Sequence, residues 1–197
     1  MKYYIDITIL PDAEASLDFL WRKIFQQIHL ALVENKNKDN SSSIAISFPL
    51  YCKATFPLGN KLRLFALSES PLKTANIDYW LKRLKDYCHI TSVKAVPIQH
   101  TFACFSRKQV KSIENKARRR AKKLNVDYKE ALKFFKHKES ELSCTLPFIQ
   151  AVSQSTSTPQ KHQNTFPLFI EKKESDVVIN GSYDCYGLSK TATVPIF

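Results

Sequence analysis

The groups best suited to chemistry in this sequence are one histidine, a run of hydroxyls and a block of cations. His29 stands at the margin of an apolar stripe, one turn after Phe25. An imidazole with an ordinary pKa of about 6.5 is largely neutral at physiological pH and could remove a proton as a general base. Ser153-Gln154-Ser155-Thr156 follows an apolar strand and offers hydroxyls that could hold a sugar in line or stabilise charge on a phosphorane. Each reading has a plainer rival. Taken alone, a histidine at a stripe margin is more often structural, and a Ser/Thr run is more often an ordinary loop.

The cations are concentrated. Of a net charge of +12, ten units lie between Arg107 and Lys138, where 13 lysines and arginines face three acids. Arg118, Arg119 and Arg120 are consecutive, so on a helix they splay over about 200°. Lys111, Arg118 and Lys122 then share one face, and Lys116, Arg119, Arg120 and Lys123 cover the next. Such a helix could simply be solvated, but acids for pairing one turn away are nearly absent. That favours an anionic partner, and nucleic acid is the natural one. A helix is too wide for the narrow major groove of regular A-form RNA and enters where the groove opens, beside a loop or a helix end. Stem-loop RNA is therefore indicated, although the helix alone does not separate RNA from DNA.

RNA also suits the rest of the inventory. It brings its own nucleophile, the 2′-hydroxyl, and needs only a base and hydroxyl donors. His89, His100, His137 and His162 show no ligand spacing, and no cluster of acids is placed to hold Mg²⁺. The five cysteines (Cys52, Cys88, Cys104, Cys144, Cys185) are scattered and lack a C-x-x-C pair, which argues against zinc and against a disulfide framework. No metal or other cofactor is expected, and the thiols fit a reduced, cytoplasmic protein. The start, MKYYIDITIL, lacks the apolar stretch of a signal peptide, and no apolar run approaches the ~18–20 residues that cross a bilayer.

The elements that must position these groups read as α+β. Tyr3, Ile5, Ile7 and Ile9 alternate with polar residues as in a half-buried strand. Pro11 ends it, and Asp12 or Ser16 caps a helix in which Leu17, Trp21, Ile24, Ile28 and Leu32 form one stripe. A polar loop from Asn35 to Ser43 precedes strands at Ile44–Phe48 and Leu62–Leu67, with Gly59-Asn60 between them. A second helix buries Ile77, Trp80, Leu81 and Leu84, and Ile90–Val96 closes the unit. This β-α-β-β-α-β order predicts a ferredoxin-like domain over 1–97. The remainder, 98–197, reads as an α/β RNA-binding domain. It has a basic helix at Ile113–Leu124, a short helix at Tyr128–Phe135, and strands at Leu146–Val152, Phe166–Glu171, Asp176–Ile179, Tyr183–Tyr186 and Thr191–Ile196.

Several stretches, in order, resemble one family, the type I-F CRISPR repeat-processing endoribonucleases. They are Tyr4-Ile5-Asp6-Ile7, Ile28-His29-Leu30-Ala31-Leu32-Val33, Ile46-Ser47-Phe48-Pro49, Ser106-Arg107-Lys108-Gln109 and the arginine triplet. The likeness continues through Leu146-Pro147-Phe148-Ile149-Gln150, Ser153-Gln154-Ser155-Thr156 and Phe166-Pro167-Leu168-Phe169-Ile170. It ends with Cys185-Tyr186-Gly187-Leu188-Ser189-Lys190 and Val194-Pro195-Ile196-Phe197. The ordered set spans the chain.

The resemblance implies an endoribonuclease that binds the stem-loop of CRISPR repeat RNA without a metal, cuts precursor CRISPR RNA at the 3′ base of the hairpin and keeps the product. It implies His29 as the catalytic histidine, Ser153 as the serine that constrains the attacking ribose, with Ser155 in the same loop, and Tyr186 beside the active site. Arg107 and Gln109 match a pair that reads base edges low on the stem. Arg118, Arg119 and Arg120 match the groove-binding helix, and Phe166 matches an aromatic that stacks on the terminal base pair; Lys111 and Lys123 of the same basic segment are further RNA-binding candidates on charge. The partners implied are other subunits of a type I-F surveillance complex, outside which the chain is expected to be a monomer, with no membrane contact. Three departures concern the repeat that is read. About six extra residues precede Phe166, Pro167 replaces a basic residue, and Lys123-Leu124 replace arginines. Two other readings stand beside this one: a non-catalytic hairpin-binding subunit of a ribonucleoprotein effector complex, and a basic DNA-binding protein.

Overall fold

Alternation along Tyr3–Ile9 produces strand β1, with Ile5, Ile7 and Ile9 buried on one face. This chain is seen in a computed structural model that describes residues 1–110, 113–136, 144–152 and 164–197. Helix α1, Leu17–Glu34, begins where Ser16 accepts a hydrogen bond from the Phe19 amide through its side chain. It buries Leu20, Trp21, Ile24, Phe25, Ile28, Ala31 and Leu32. Trp21 donates its indole N–H to the Gly59 carbonyl at 2.7 Å, which ties α1 to the turn before β3 (Lys61–Ala66).

The first sheet runs β2 (Ala45–Ser47), β3, β1, β4 (Cys88–Ile90), with antiparallel pairing throughout. The strand expected at Ile90–Val96 is split. β4 pairs with Ile7–Ile9, and β5 (Lys94–Ala95) pairs with Tyr3 and Tyr4. Between them Thr91 exchanges hydrogen bonds with the Asp6 backbone, receiving on its hydroxyl at 3.0 Å and donating its N–H at 2.9 Å. A helix that the sequence reading did not foresee, α2 (Glu69–Thr74), comes first, and the expected second helix is α only over α3 (Ile77–Trp80) before it tightens into a 3-10 turn over Lys82–Tyr87. Asn76, in the left-handed region at φ 43°, separates α2 from α3.

The face of β1 opposite its isoleucines carries Asp6, which is buried with Arg63 of β3. Arg63 holds the carboxylate through two nitrogens, at 2.6 and 2.9 Å. A third nitrogen donates to the Phe197 carbonyl at 3.1 Å, and the guanidinium lies against the rings of Phe197 (3.8 Å) and Tyr4 (4.7 Å), which themselves meet edge to face at 5.1 Å. Fully bonded and stacked, the pair escapes the penalty of an isolated buried charge.

A second sheet has the order β7 (Phe148–Val152), β8 (Thr165–Ser175), β6 (Thr101–Lys108), β9 (Val194–Ile196). α1 packs on β7 as well as on the first sheet, so one apolar core joins both. Asp176–Ile179 is not a strand, and Tyr183–Tyr186 is a bridge at Tyr183 followed by a turn.

These elements form one compact unit, Met1–Arg107 with Pro147–Phe197, and Lys108–Leu146 forms another. In the latter, α4 (Ile113–Leu124) and α5 (Tyr128–Lys136) pack together. Asn125, at φ 51°, ends α4 while the Val126 amide reaches back to the Ala121 carbonyl. Asp127 then caps α5 by accepting from the Lys129 amide. Among the described residues, no helix is long and apolar enough to cross a membrane.

Candidate active site

α1 brings Phe25 and His29 to one flank, four residues apart and so one above the other. The ring that meets them is Tyr186, parallel to His29 at 4.1 Å and 5°, and to Phe25 at 6.3 Å and 7°. The turn that carries Tyr186 closes on itself. The Gly187 amide donates to the Asp184 carbonyl, and Asp184 and Leu188 are joined amide to carbonyl, both at 2.8 Å. The Asp184 carboxylate fills the centre of the turn, accepting the Tyr186 amide at 2.9 Å and the Leu188 amide at 3.0 Å. Gly187 is needed at two levels. Its φ is +70°, and a Cβ there would lie 2.7 Å from Cγ1 of Ile46, whose amide donates to the Gly187 carbonyl.

The carbonyl left pointing into the site is that of Cys185, and it lies 2.9 Å from Nδ1 of His29. A carbonyl only accepts, so Nδ1 carries the proton and donates it. In the neutral ring Nε2 therefore keeps its lone pair and is the basic nitrogen. Burial pushes the His29 pKa below its ordinary value. The Cys185 hydrogen bond and the charge of Asp184 oppose that shift, and the charge of Arg107 adds to it. The imidazole is thus neutral, in a defined tautomer, at physiological pH. Burial raises the phenol of Tyr186, so it too stays uncharged.

Arg107, near the end of β6, extends the stack. Its guanidinium carbon is 5.5 Å from the centre of the Tyr186 ring and 5.2 Å from that of Phe166 on β8. His29, Tyr186, Arg107 and Phe166, four of the expected site residues, therefore form a continuous series of planar groups. Gln109 is exposed and outside any element. On α4, Arg118, Arg119 and Lys123 are exposed, while Arg120 is half-buried with its guanidinium carbon 4.0 Å from the centre of the Phe134 ring. Ser153, Ser155 and Lys111 lie outside the described residues. Three contributors were not foreseen: Phe25, Asp184 and the carbonyl of Cys185. The only local signal was Asp184-Cys185-Tyr186-Gly187, an Asp-x-x-Gly spacing that suits an Asx-closed turn. Among the described residues, no three His, Cys, Asp or Glu side chains are grouped to hold a metal ion.

Comparison with known proteins bears on the whole chain. The profile of the family described as CRISPR-associated protein (Cas_Csy4) matches residues 4–197. Two relatives carry the name CRISPR-associated endonuclease Cas6/Csy4. One is from Escherichia coli (strain UTI89 / UPEC), 32% identical over 200 residues, and the match covers 100% of both chains. The other is from Pseudomonas aeruginosa (strain UCBPP-PA14), 32% identical over 199 residues, again covering 100% of both. The resemblance carried by the ordered motifs is borne out at full length, and this chain belongs to the Csy4 family of CRISPR-associated proteins.

Proposed function

We propose that the protein is a metal-independent endoribonuclease that binds the stem-loop of CRISPR repeat RNA, cleaves precursor CRISPR RNA at the 3′ base of the hairpin and retains the product. The observation that carries this reading is the hydrogen bond from His29 Nδ1 to the Cys185 carbonyl, which leaves Nε2 as the base. Nε2 takes the proton of the 2′-hydroxyl, and the oxygen so freed attacks the adjacent phosphorus. The P–O5′ bond breaks, the leaving oxygen gains a proton, and the products end in a 2′,3′-cyclic phosphate and a 5′-hydroxyl. Tyr186 holds the imidazole plane by stacking. Ser153, with Ser155 beside it, constrains the ribose.

Recognition falls to Arg107 and Gln109 at base edges, to Phe166 on the terminal pair, and to Arg118, Arg119, Arg120, Lys111 and Lys123 along the phosphates. The order β2-β3-β1-β4 with α1 and α2–α3 between strands supports a ferredoxin-like domain over 1–97, followed by an RNA-binding domain over 98–197. A retained product would make the chain a subunit of a cytoplasmic type I-F surveillance complex, and a monomer outside it.

The decisive assay incubates protein with a repeat hairpin in EDTA. Cleavage should persist, and a hairpin with one 2′-deoxy sugar at the cut site should bind intact. Loss of cutting in EDTA overturns the metal-free step. Binding without any turnover overturns the enzyme in favour of a hairpin-capping subunit.

A further inference from the structure

α1 has a second functional flank. His29 occupies one margin of its buried stripe, and Lys23 and Gln27 occupy the other, Gln27 lying about 200° of helical rotation from His29. There a cavity of about 350 Å³ opens, lined by Lys23 and Gln27, by Tyr79 and Trp80 of α3, and by Lys82 and Arg83 of the 3-10 turn. Its chemistry is one-sided. Asp78 and Asp86 belong to the same segments, yet no carboxylate lines the cavity.

The two rings stand perpendicular, 6.0 Å apart at 85°, and Tyr79 is 57% exposed. The Lys82 ammonium sits over the Tyr79 ring, 4.4 Å from its centre, so a base can stack on that ring only from the other face or by displacing the flexible lysine. The same pairing recurs next to the cavity, where Arg22 and Lys23 lie over the exposed Phe19 ring at 5.3 and 5.5 Å. Exposed rings alternating with cations are what a single strand of nucleic acid uses, base on ring and phosphate on cation. An acidic peptide would satisfy the cations and leave the rings without a planar partner.

We infer that this cavity is a second RNA site, which takes an unpaired nucleotide of the single strand that runs from the base of the bound hairpin. The inference rests on the hairpin-binding reading above. It places single-stranded RNA on both margins of α1, the cut linkage at His29 and a flanking nucleotide at Tyr79 and Trp80.

Trp80 reports on the cavity directly. The chain has two tryptophans, and Trp21 is fully buried, which shields it from a ligand. The full-length protein is titrated with three uncleavable 2′-deoxy hairpins: without an extension, with a 5′ single strand, and with a 3′ single strand. One extended hairpin should quench Trp80 and bind about ten-fold tighter than the blunt form, and the arm that does so identifies the strand. Lys82→Glu with Arg83→Glu should abolish that gain and leave blunt-hairpin affinity unchanged, and Tyr79→Ala should reduce it about five-fold. Extensions that neither quench Trp80 nor tighten binding overturn the second site while the hairpin reading stands. Failure of even the blunt hairpin to bind removes both. Quenching by poly-glutamate but not by extended RNA would assign the cavity to an acidic protein surface and overturn the inference.

Discussion

Between Asp184 and Leu188 the turn bonds four amides and four carbonyls within itself or to β2 and α1, whereas of the twelve residues of α4 only Ala117 is buried. One segment fixes a single carbonyl against a single nitrogen. The other holds out Arg118, Arg119, Lys122 and Lys123 to solvent. The difference suits the two tasks proposed for them. Proton transfer needs its base held to within a fraction of an ångström, while attraction to phosphates acts over several ångströms and tolerates displacement. A protein that must do both can invest its packing in the first and its charge in the second.

That contrast breaks if cutting and gripping fail together. His29→Ala should lower single-turnover cleavage by about 10²–10⁴-fold with hairpin affinity unchanged in a gel-shift titration. An equal loss of binding would make His29 part of the grip. Conversely, replacing Arg118, Arg119 and Arg120 by alanine should weaken hairpin binding by about 10²-fold at physiological salt and flatten its salt dependence by roughly two to three units of slope. Cleavage within the saturated complex should then stay near the native rate.

Two further changes sharpen the comparison. Gly187→Ala forces a side chain to φ +70° against Ile46, and should cost about 1–3 kcal/mol by denaturant melts and slow cleavage together. The same loss is not expected from Lys123→Ala. The smallest effect concerns pH. As the proposed base His29 acts in its neutral form, so the rate should rise with pH through its depressed pKa. Asp184→Asn keeps the acceptor oxygen but removes a charge that favours the imidazolium, so the acid limb of the saturated rate should move to lower pH. Arg107→Gln removes a charge that disfavours it, so the limb should move to higher pH. Shifts of the same sign in both variants would refute this electrostatic account.

What could be read from the sequence follows the strength of each local pattern. α1 is legible because one face is buried, which imposes a period of about 3.6, and β1 because its isoleucines alternate with polar or amphipathic residues, even though Asp6 on the other face is buried as well. β6 is not. Ala103 through Ser106 are all buried, so no alternation survives, and nothing marks the segment as a strand. The opposite error occurs at Val177-Val178-Ile179, a β-branched run that looks like a strand yet lies 61%, 54% and 42% exposed in irregular chain. The second helix fails after Trp80, because apolar residues three and four apart do not distinguish an α-helix from the 3-10 turn that follows at Lys82–Tyr87.

In the candidate site, His29 stands out as a residue type. Phe25 stacks without any feature to distinguish it from the core. The Cys185 carbonyl is harder still, since a backbone acceptor is encoded by no side chain and meets His29 across 156 residues of sequence. Only the geometry of the Asp184 turn reveals it.

The packing of Arg63 against Tyr4 and Phe197 has a consequence for biosynthesis. Asp6 and Arg63 are 57 residues apart, and the ring and carbonyl of Phe197 follow Arg63 by another 134. At about 5–20 residues per second, a ribosome delivers that last partner many seconds after the strands bearing the ion pair have emerged. A nascent chain therefore carries an aspartate–arginine pair covered on one side only.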